Sequence, residues 1–156
     1  MKTGDAPPAL ERTIQAADMV AYAGATWDWH RLHYDRVYLK ERGLHLPVVD
    51  GQMLGALLAE QVQDWLGPTA RLRRLRFRLT AMVFAEETVR VTGVVTAVDG
   101  ERVTIEQRVT VADRVAATGV AEVTVSSAPE ASVNENGDAH HPAGGRDSEP
   151  AGGEEE

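Results

Sequence analysis

The chain has 156 residues, no cysteine and a net charge of −8. That length suits one domain with a single core. The lack of cysteine excludes a disulfide framework, a thiolate nucleophile and a cysteine-based zinc site.

The charge is unevenly placed. From Ser127 onward eight acidic residues stand against Arg146 alone, a net of −7, and the remainder carries 15 basic and 16 acidic residues, a net of −1. Residues 127–156 are rich in Gly, Pro, Ser and Ala and nearly free of large apolar side chains. Such a segment buries too little surface to offset its ordering entropy, so a disordered acidic tail is expected. Its pair His140-His141 reads as two solvated side chains. The folded unit is expected over residues 10–126, behind a flexible lead of residues 1–9. A body this close to neutral argues against a nucleic-acid binder. The N-terminal MKTGDAPPALERT has no apolar signal-peptide core. No apolar run approaches the roughly 18 residues that cross a bilayer, so a cytoplasmic protein free of the membrane is expected.

In chain order, Ile14, Ala17, Val20 and Ala21 recur at helical spacing, and Thr13 is placed to cap a short helix. A loop, TWDWHRLHYD, follows with two histidines, two tryptophans and two aspartates in ten residues. Asp35 can cap a second short helix, RVYLKERG, which Gly43 closes at the C′ position. After LPVVDG comes the main helix, QMLGALLAEQVQDWLG. Met53, Leu54, Leu57, Leu58, Gln61, Val62 and Trp65 give it a broad apolar stripe, and Gly67-Pro68 stop it.

Beyond Pro68 the period changes to two. RLRRLRFRLT, ETVRVTGVVTAV, RVTIEQRVTV and RVAATGVAEVTV read as four strands. Turns are expected at Asp99-Gly100 and Asp113-Arg114. A four-strand antiparallel meander has one apolar face to cover, and the long helix needs burial on most sides. The economical solution is an α+β hotdog fold, a curved antiparallel sheet wrapped around a long central helix.

AYAGATWDWHRLHYD, then VVDGQMLGALLAEQVQDWLGP, then the strand-rich remainder resembles the MaoC-like acyl dehydratases, the (R)-specific enoyl-CoA hydratases. The family signature runs Gly-Asp-x-Asn-Pro-aliphatic-His. It falls here on Trp27-Asp28-Trp29-His30-Arg31-Leu32-His33. The aspartate, the aliphatic residue and the last histidine match; Trp27, His30 and Arg31 replace Gly, Asn and Pro. The resemblance covers about residues 10–126. The short chain and VQDWLGPTARL are also similar to small subunits of heteromeric steroid-CoA hydratases.

The resemblance implies reversible hydration of a trans-2-enoyl-CoA. That reaction needs an oriented water, a proton at C2 and a stabilised thioester oxygen. Asp28 and His33 would hold the water, with Asp28 as base and His33 orienting the water and exchanging the proton. The backbone N–H of Gly51, at the start of the main helix, would meet the thioester oxygen. Asp50 precedes it; a carboxylate beside developing negative charge would oppose it, so its side chain is expected to point away. Trp27 and Trp29 are candidates to line the acyl pocket, or else pack in the core or against a partner. His30 either tunes Asp28 or lies on the surface. Asp28, His30, His33 and Asp35 also admit a metal-cluster reading. The resemblance implies no metal and no cofactor beyond the coenzyme A thioester substrate itself.

RLRRLRFR holds five arginines in eight residues. On a strand Arg74, Arg76 and Arg78 share one face, with Leu75, Phe77 and Leu79 on the other. The basic face is either solvated or meets the phosphates of coenzyme A. Two further functions compete with the hydro-lyase: a hotdog thioesterase using Glu60 on the long helix, and a non-catalytic subunit that presents substrate to an active chain. A homodimer, or a heteromer with another MaoC-like chain, is expected because a lone hotdog leaves an open sheet edge.

Overall fold

The structure, a computed structural model, describes residues 1–125; the acidic tail expected from residue 127 lies outside the described residues. The order of elements is β1 (Leu10–Thr13), α1 (Ala16–Thr26), a 3-10 turn (Arg31–His33), α2 (Arg36–Glu41), α3 (Gly51–Leu66), β2 (Ala70–Leu79), β3 (Thr88–Asp99), β4 (Arg102–Val111) and β5 (Arg114–Val125). The strands form one antiparallel sheet in the order β1-β3-β4-β5-β2. The sheet curls around α3, which packs on β2, β5, β4 and β3. This is the expected hotdog.

The meander is only partly as expected. β3, β4 and β5 are successive neighbours, but β2 joins the far side of β5, with Leu75 opposite Ala121 and Leu79 opposite Ala117. Because α3 lies across the concave face, β2 can sit at one edge and the chain return to the other. The second edge is β1, which the helical spacing beginning at Ile14 hid. Thr13 therefore caps nothing: it ends β1, and its hydroxyl meets that of Thr88 at 2.7 Å. Gln15 stands at the head of α1, where its N–H donates to the Asp18 carboxylate at 2.9 Å. The lead of residues 1–9 is tied to the sheet. Gly4 N–H donates to Val95 O at 2.9 Å, Val95 N–H donates to Asp5 O at 2.8 Å, and Pro7 is buried.

Both hairpin turns shift by one residue. The two-residue loops are Gly100-Glu101, between paired Asp99 and Arg102, and Ala112-Asp113, between paired Val111 and Arg114. Gly100 and Ala112 take positive φ, 56° and 48°, the backbone a tight hairpin requires.

The core has two parts along α3. Leu54, Leu57 and Leu58 meet Val89, Val91, Val109 and Ala117. Val62 meets Val95, Ile105, Ala121 and Val123. Between them lie two buried amides. Gln61 Nε2 donates to Pro8 O and Val91 O, and Gln107 Nε2 donates to Leu58 O and Gln61 Oε1, each at 2.9 Å. The sheet meets the helix most closely at two glycines. A Cβ on Gly51 would land on Leu79 Cδ1, and one on Gly55 on the Phe77 ring.

Candidate active site

The site begins where α1 stops. Trp27 adopts the left-handed conformation, φ 61° and ψ 25°, and turns the chain back on itself. A side chain there costs about 1–2 kcal/mol, which explains why the signature has Gly at this position. His30 replaces the signature's Asn and does an amide carbonyl's work: its Nδ1 accepts from Leu32 N–H at 3.1 Å and caps the 3-10 turn. Arg31 occupies the first helical position, where a proline fits because no N–H is needed. Its Nε instead donates to Asp35 Oδ2 at 2.8 Å. Asp35 Oδ1 caps α2 through Val37 and Tyr38 N–H, at 2.9 and 3.0 Å. The Tyr38 amide first, and then Arg31, hold the Asp35 carboxyl below the usual range.

This turn aims two side chains inward. Asp28 Oδ1 accepts from His30 N–H at 3.1 Å. His33 Nδ1 lies 2.7 Å from Val48 O. A carbonyl only accepts, so Nδ1 carries the hydrogen and Nε2 is left as an acceptor in the neutral ring. Val48 is itself fixed, its N–H donating to Leu32 O at 3.1 Å.

The third member comes from α3. Asp50 caps this helix, Oδ1 accepting from Gln52 N–H at 2.8 Å. Its Oδ2 is shielded from solvent and has no hydrogen-bond partner among the described residues. One oxygen from each of Asp28 and Asp50 and one ring nitrogen of His33 lie within 4.8 Å of one another, and all three residues are partly buried. The expectation that Asp50 points away is therefore corrected. A cap must fold back over the first turn, and that turn faces Asp28 and His33. Groups this far apart span a single water, with legs of about 2.8 Å. The next residue, Gly51, has a backbone N–H with no acceptor among the described residues. A free N–H at a helix start is a hydrogen-bond donor at the positive end of the helix dipole, next to the three side chains.

The metal reading loses two of its members. Asp35 is committed to the α2 cap and to Arg31, and His30 Nδ1 to Leu32. Three donors remain in Asp28, His33 and Asp50, close enough together to share a water or an ion, with the Gly51 amide beside them. Tyr22 is a further neighbour that the sequence reading missed. Burial first, and then the Asp50 charge, push its hydroxyl pKa above the ordinary phenol value. Its signal was faint, a lone tyrosine on a short helix. The signal for Asp50 was plain: aspartate is among the best N-cap residues, and it directly precedes the helix glycine.

Other expected residues lie elsewhere. Trp27 is 80% exposed and Trp29 43%, so neither packs in this chain's core; their rings meet edge to face at 6.1 Å. Arg74, Arg76 and Arg78 are exposed on the face of β2 opposite Phe77 and Leu79, which cover α3. Arg76 pairs with Glu122 at 3.5 Å. Arg76 and Arg78 line an outer groove of ≈ 540 Å³ with Arg108, Glu106, Thr92 and Thr118. Asp28 and His33 are not among its lining residues. Glu60 is paired with Arg12. It sits nine residues along α3 from Gly51, about 13 Å at the helical rise.

No helix among the described residues is long and apolar enough to cross a membrane. Comparison with known proteins agrees with the geometry. The chain is 33% identical over 102 residues to the 3-oxo-4,17-pregnadiene-20-carboxyl-CoA hydratase beta subunit of Mycobacterium tuberculosis (strain ATCC 25618 / H37Rv), spanning 64% of this chain and 79% of that protein. A chain in the crystal structure of the ChsH1-ChsH2 complex from Mycobacterium tuberculosis superimposes with a TM-score of 0.75 at 27% identity, over 80% of this chain and 98% of that one. The (R)-hydratase from A. caviae involved in PHA biosynthesis shares the fold, with a TM-score of 0.76 at 23% identity over 81% and 98% of the two chains. The MaoC like domain model matches residues 2–118, from the N-terminal segment into β5, and the chain belongs to that family.

Proposed function

We propose that the chain is a hydro-lyase that adds water reversibly across the double bond of a trans-2-enoyl-CoA to give a 3-hydroxyacyl-CoA. The observation that carries this reading is the convergence of Asp28 and His33 within 4.8 Å, next to the helix start at Gly51. Asp28 accepts a proton from the bound water as its oxygen bonds to C3. His33 orients that water. Negative charge moving onto the thioester oxygen meets the Gly51 N–H, where the helix dipole adds to the hydrogen bond.

Family membership supports hydratase chemistry, as does the name of the mycobacterial relative. The same relative, a beta subunit, supports assembly with a second MaoC-like chain and a bulky acyl group such as a steroid side chain. Trp27 and Trp29, open on the site's rim, are assigned to that acyl group. Arg74, Arg76 and Arg78 are assigned to the coenzyme A phosphates. The pantetheine arm must then round the β2 edge to join them to the site. Changing all three to serine is expected to raise KM with kcat kept.

The test is a panel of linear and steroidal enoyl-CoAs, with the chain alone and with its co-purified partner. Loss of the conjugated-thioester absorbance without thiol release is the expected result. Thiol release would instead favour a thioesterase. If Asp28→Asn and His33→Ala each left the assembled complex at full rate, the chain would be a presenting subunit.

A further inference from the structure

We propose that the acidic segment of this chain, residues 127–156, docks on the arginine-lined outer groove of the sheet and there competes with the phosphates of coenzyme A. The groove follows the outer face of β5, between β2 and β4. Its far half, ≈ 540 Å³, is lined by Arg76, Arg78 and Arg108, with Glu106 as the one carboxylate among the lining residues. Its near half, ≈ 950 Å³, holds Arg73 and Arg102 against Asp99, Glu101 and Glu122. Thr118 and Val120 of the far half and Glu122 and Thr124 of the near half alternate along one side of β5, so the two halves are continuous. The far half carries 3 − 1 = +2 and the near half 2 − 3 = −1. Positive charge therefore accumulates away from the point where β5 ends. Arg76 shares Glu122 at 3.5 Å; Arg78 and Arg108 have no ion-pair partner among the described residues.

The chain beyond β5 matches that gradient in sequence. Val125 ends β5, paired with Ala70 and held by its N–H to Glu101 O at 2.9 Å, at the near end of the groove. The next four residues, SSAP, are uncharged and meet the mixed near half without penalty. The acids begin at Glu130 and continue with Glu135 and Asp138; the whole segment carries eight acids and Arg146 alone as a base. Thr118, which pairs with both Arg78 and Arg108, lies seven residues back along β5, about 23 Å at the strand rise. Glu135 follows Val125 by ten residues, up to about 36 Å of extended chain. It and Asp138 reach the far arginines with length to spare for the reversal, and Glu130 reaches the middle of the groove. One exposed ion pair is weak. Several on one tether act together at an effective concentration of about 1 mM, and they weaken with salt.

The docking stands on this geometry and charge alone. The competition rests on the reading of Arg74, Arg76 and Arg78 as the contacts for coenzyme A phosphates. Carboxylates and phosphates take the same guanidinium N–H donors, so occupancy by one excludes the other. The tail lowers the affinity of the groove for coenzyme A and turns away anions with fewer phosphates.

The absence of cysteine makes the test direct, since Ala139→Cys gives the full chain a single thiol for a nitroxide label. At low salt the label should broaden the backbone N–H signals of Arg78, Arg108 and Thr118. The broadening should fall to the level of an untethered approach when all eight acids of residues 127–156 are changed to Gln or Asn. The neutral-tailed chain should also bind coenzyme A about tenfold more tightly, with the gap closing at about 0.5 M salt. Equal broadening in the acidic and the neutral chain overturns the docking and leaves the arginines to the phosphates. Broadening lost on neutralisation, with coenzyme A affinity unchanged, upholds the docking and overturns both the competition and the assignment of those arginines to coenzyme A.

Discussion

Two groups of partly or fully buried polar side chains touch α3, and they are built on opposite terms. Gln61 and Gln107 are 3% and 4% exposed; Gln61 donates to Pro8 and Val91, and Gln107 to Leu58 and Gln61, with only Gln107 Oε1 left unpartnered among the described residues. That set closes the seam between the two apolar halves of the core and hooks the N-terminal segment onto the sheet. Asp28, His33 and Asp50, at the other end of the helix, each commit one atom to holding the backbone and leave one free. Half of each residue fixes its position and half is available for chemistry. Buried polar groups of the first kind specify a fold; those of the second kind are tolerated because the site needs them.

The largest effects should separate the two groups by readout. Asp28→Asn and His33→Ala should each lower hydration by about 10²- to 10⁴-fold while moving stability by about 1 kcal/mol or less. Steady-state rates on an enoyl-CoA and urea unfolding of the same samples test this. A large stability loss with activity retained per folded molecule would make them structural, like the glutamines. Gln61→Ala should do the reverse. It removes the side-chain donor that reaches the Pro8 and Val91 carbonyls and leaves Gln107 one acceptor fewer, a loss of about 2 kcal/mol in urea unfolding. Its rate per folded molecule should match the wild type.

A smaller effect is expected where the two terms meet, at Gly51. Its missing Cβ admits Leu79 Cδ1, and its N–H is assigned to the thioester. Gly51→Ala should therefore destabilise by about 1–2 kcal/mol through overpacking. Leu79→Ala in the same chain should restore the stability, since Leu79 is half exposed and its loss opens the space. If hydration returns with it, the glycine serves packing and the amide alone serves the substrate.

Much of this was legible beforehand, for physical reasons that also mark the limit. Period-two runs with β-branched residues located β2 to β5, and Asp35, Gly43 and Gly67 marked helix ends, because these signals are local. β1 was not legible: LERT is short and polar, and only its pairing with Val89 and Val91 makes it a strand. The place of β2 beside β5 is likewise a property of the closed sheet. Asp28 and His33 were legible through the spacing of a family signature. Asp50 was visible as a helix cap, yet its approach to them depends on how α3 lies against the 3-10 turn, which no local pattern records.

The smallest effects concern strain, which the site and the scaffold also share. Trp27 and Ala112 both hold a left-handed backbone with a side chain in place, at φ 61° and 48°. Ala112 sits in the β4–β5 hairpin loop and is not one of the groups that converge on Asp28. Ala112→Gly should raise stability by about 0.5 kcal/mol, the relief of strain less the added freedom of the unfolded chain, with no change in rate. Trp27→Gly gains the same relief but loses the edge-to-face contact with Trp29, worth about 0.5–1.5 kcal/mol, so its net effect on stability should be near zero. Its effect on function should not be. A rise in KM for bulky enoyl-CoAs, with KM for short ones unchanged, would show that the tryptophan is kept for the acyl group. Equal KM values for both would leave Trp27 as a strained residue whose side chain serves only its neighbour, and the rim would pass to Trp29 alone.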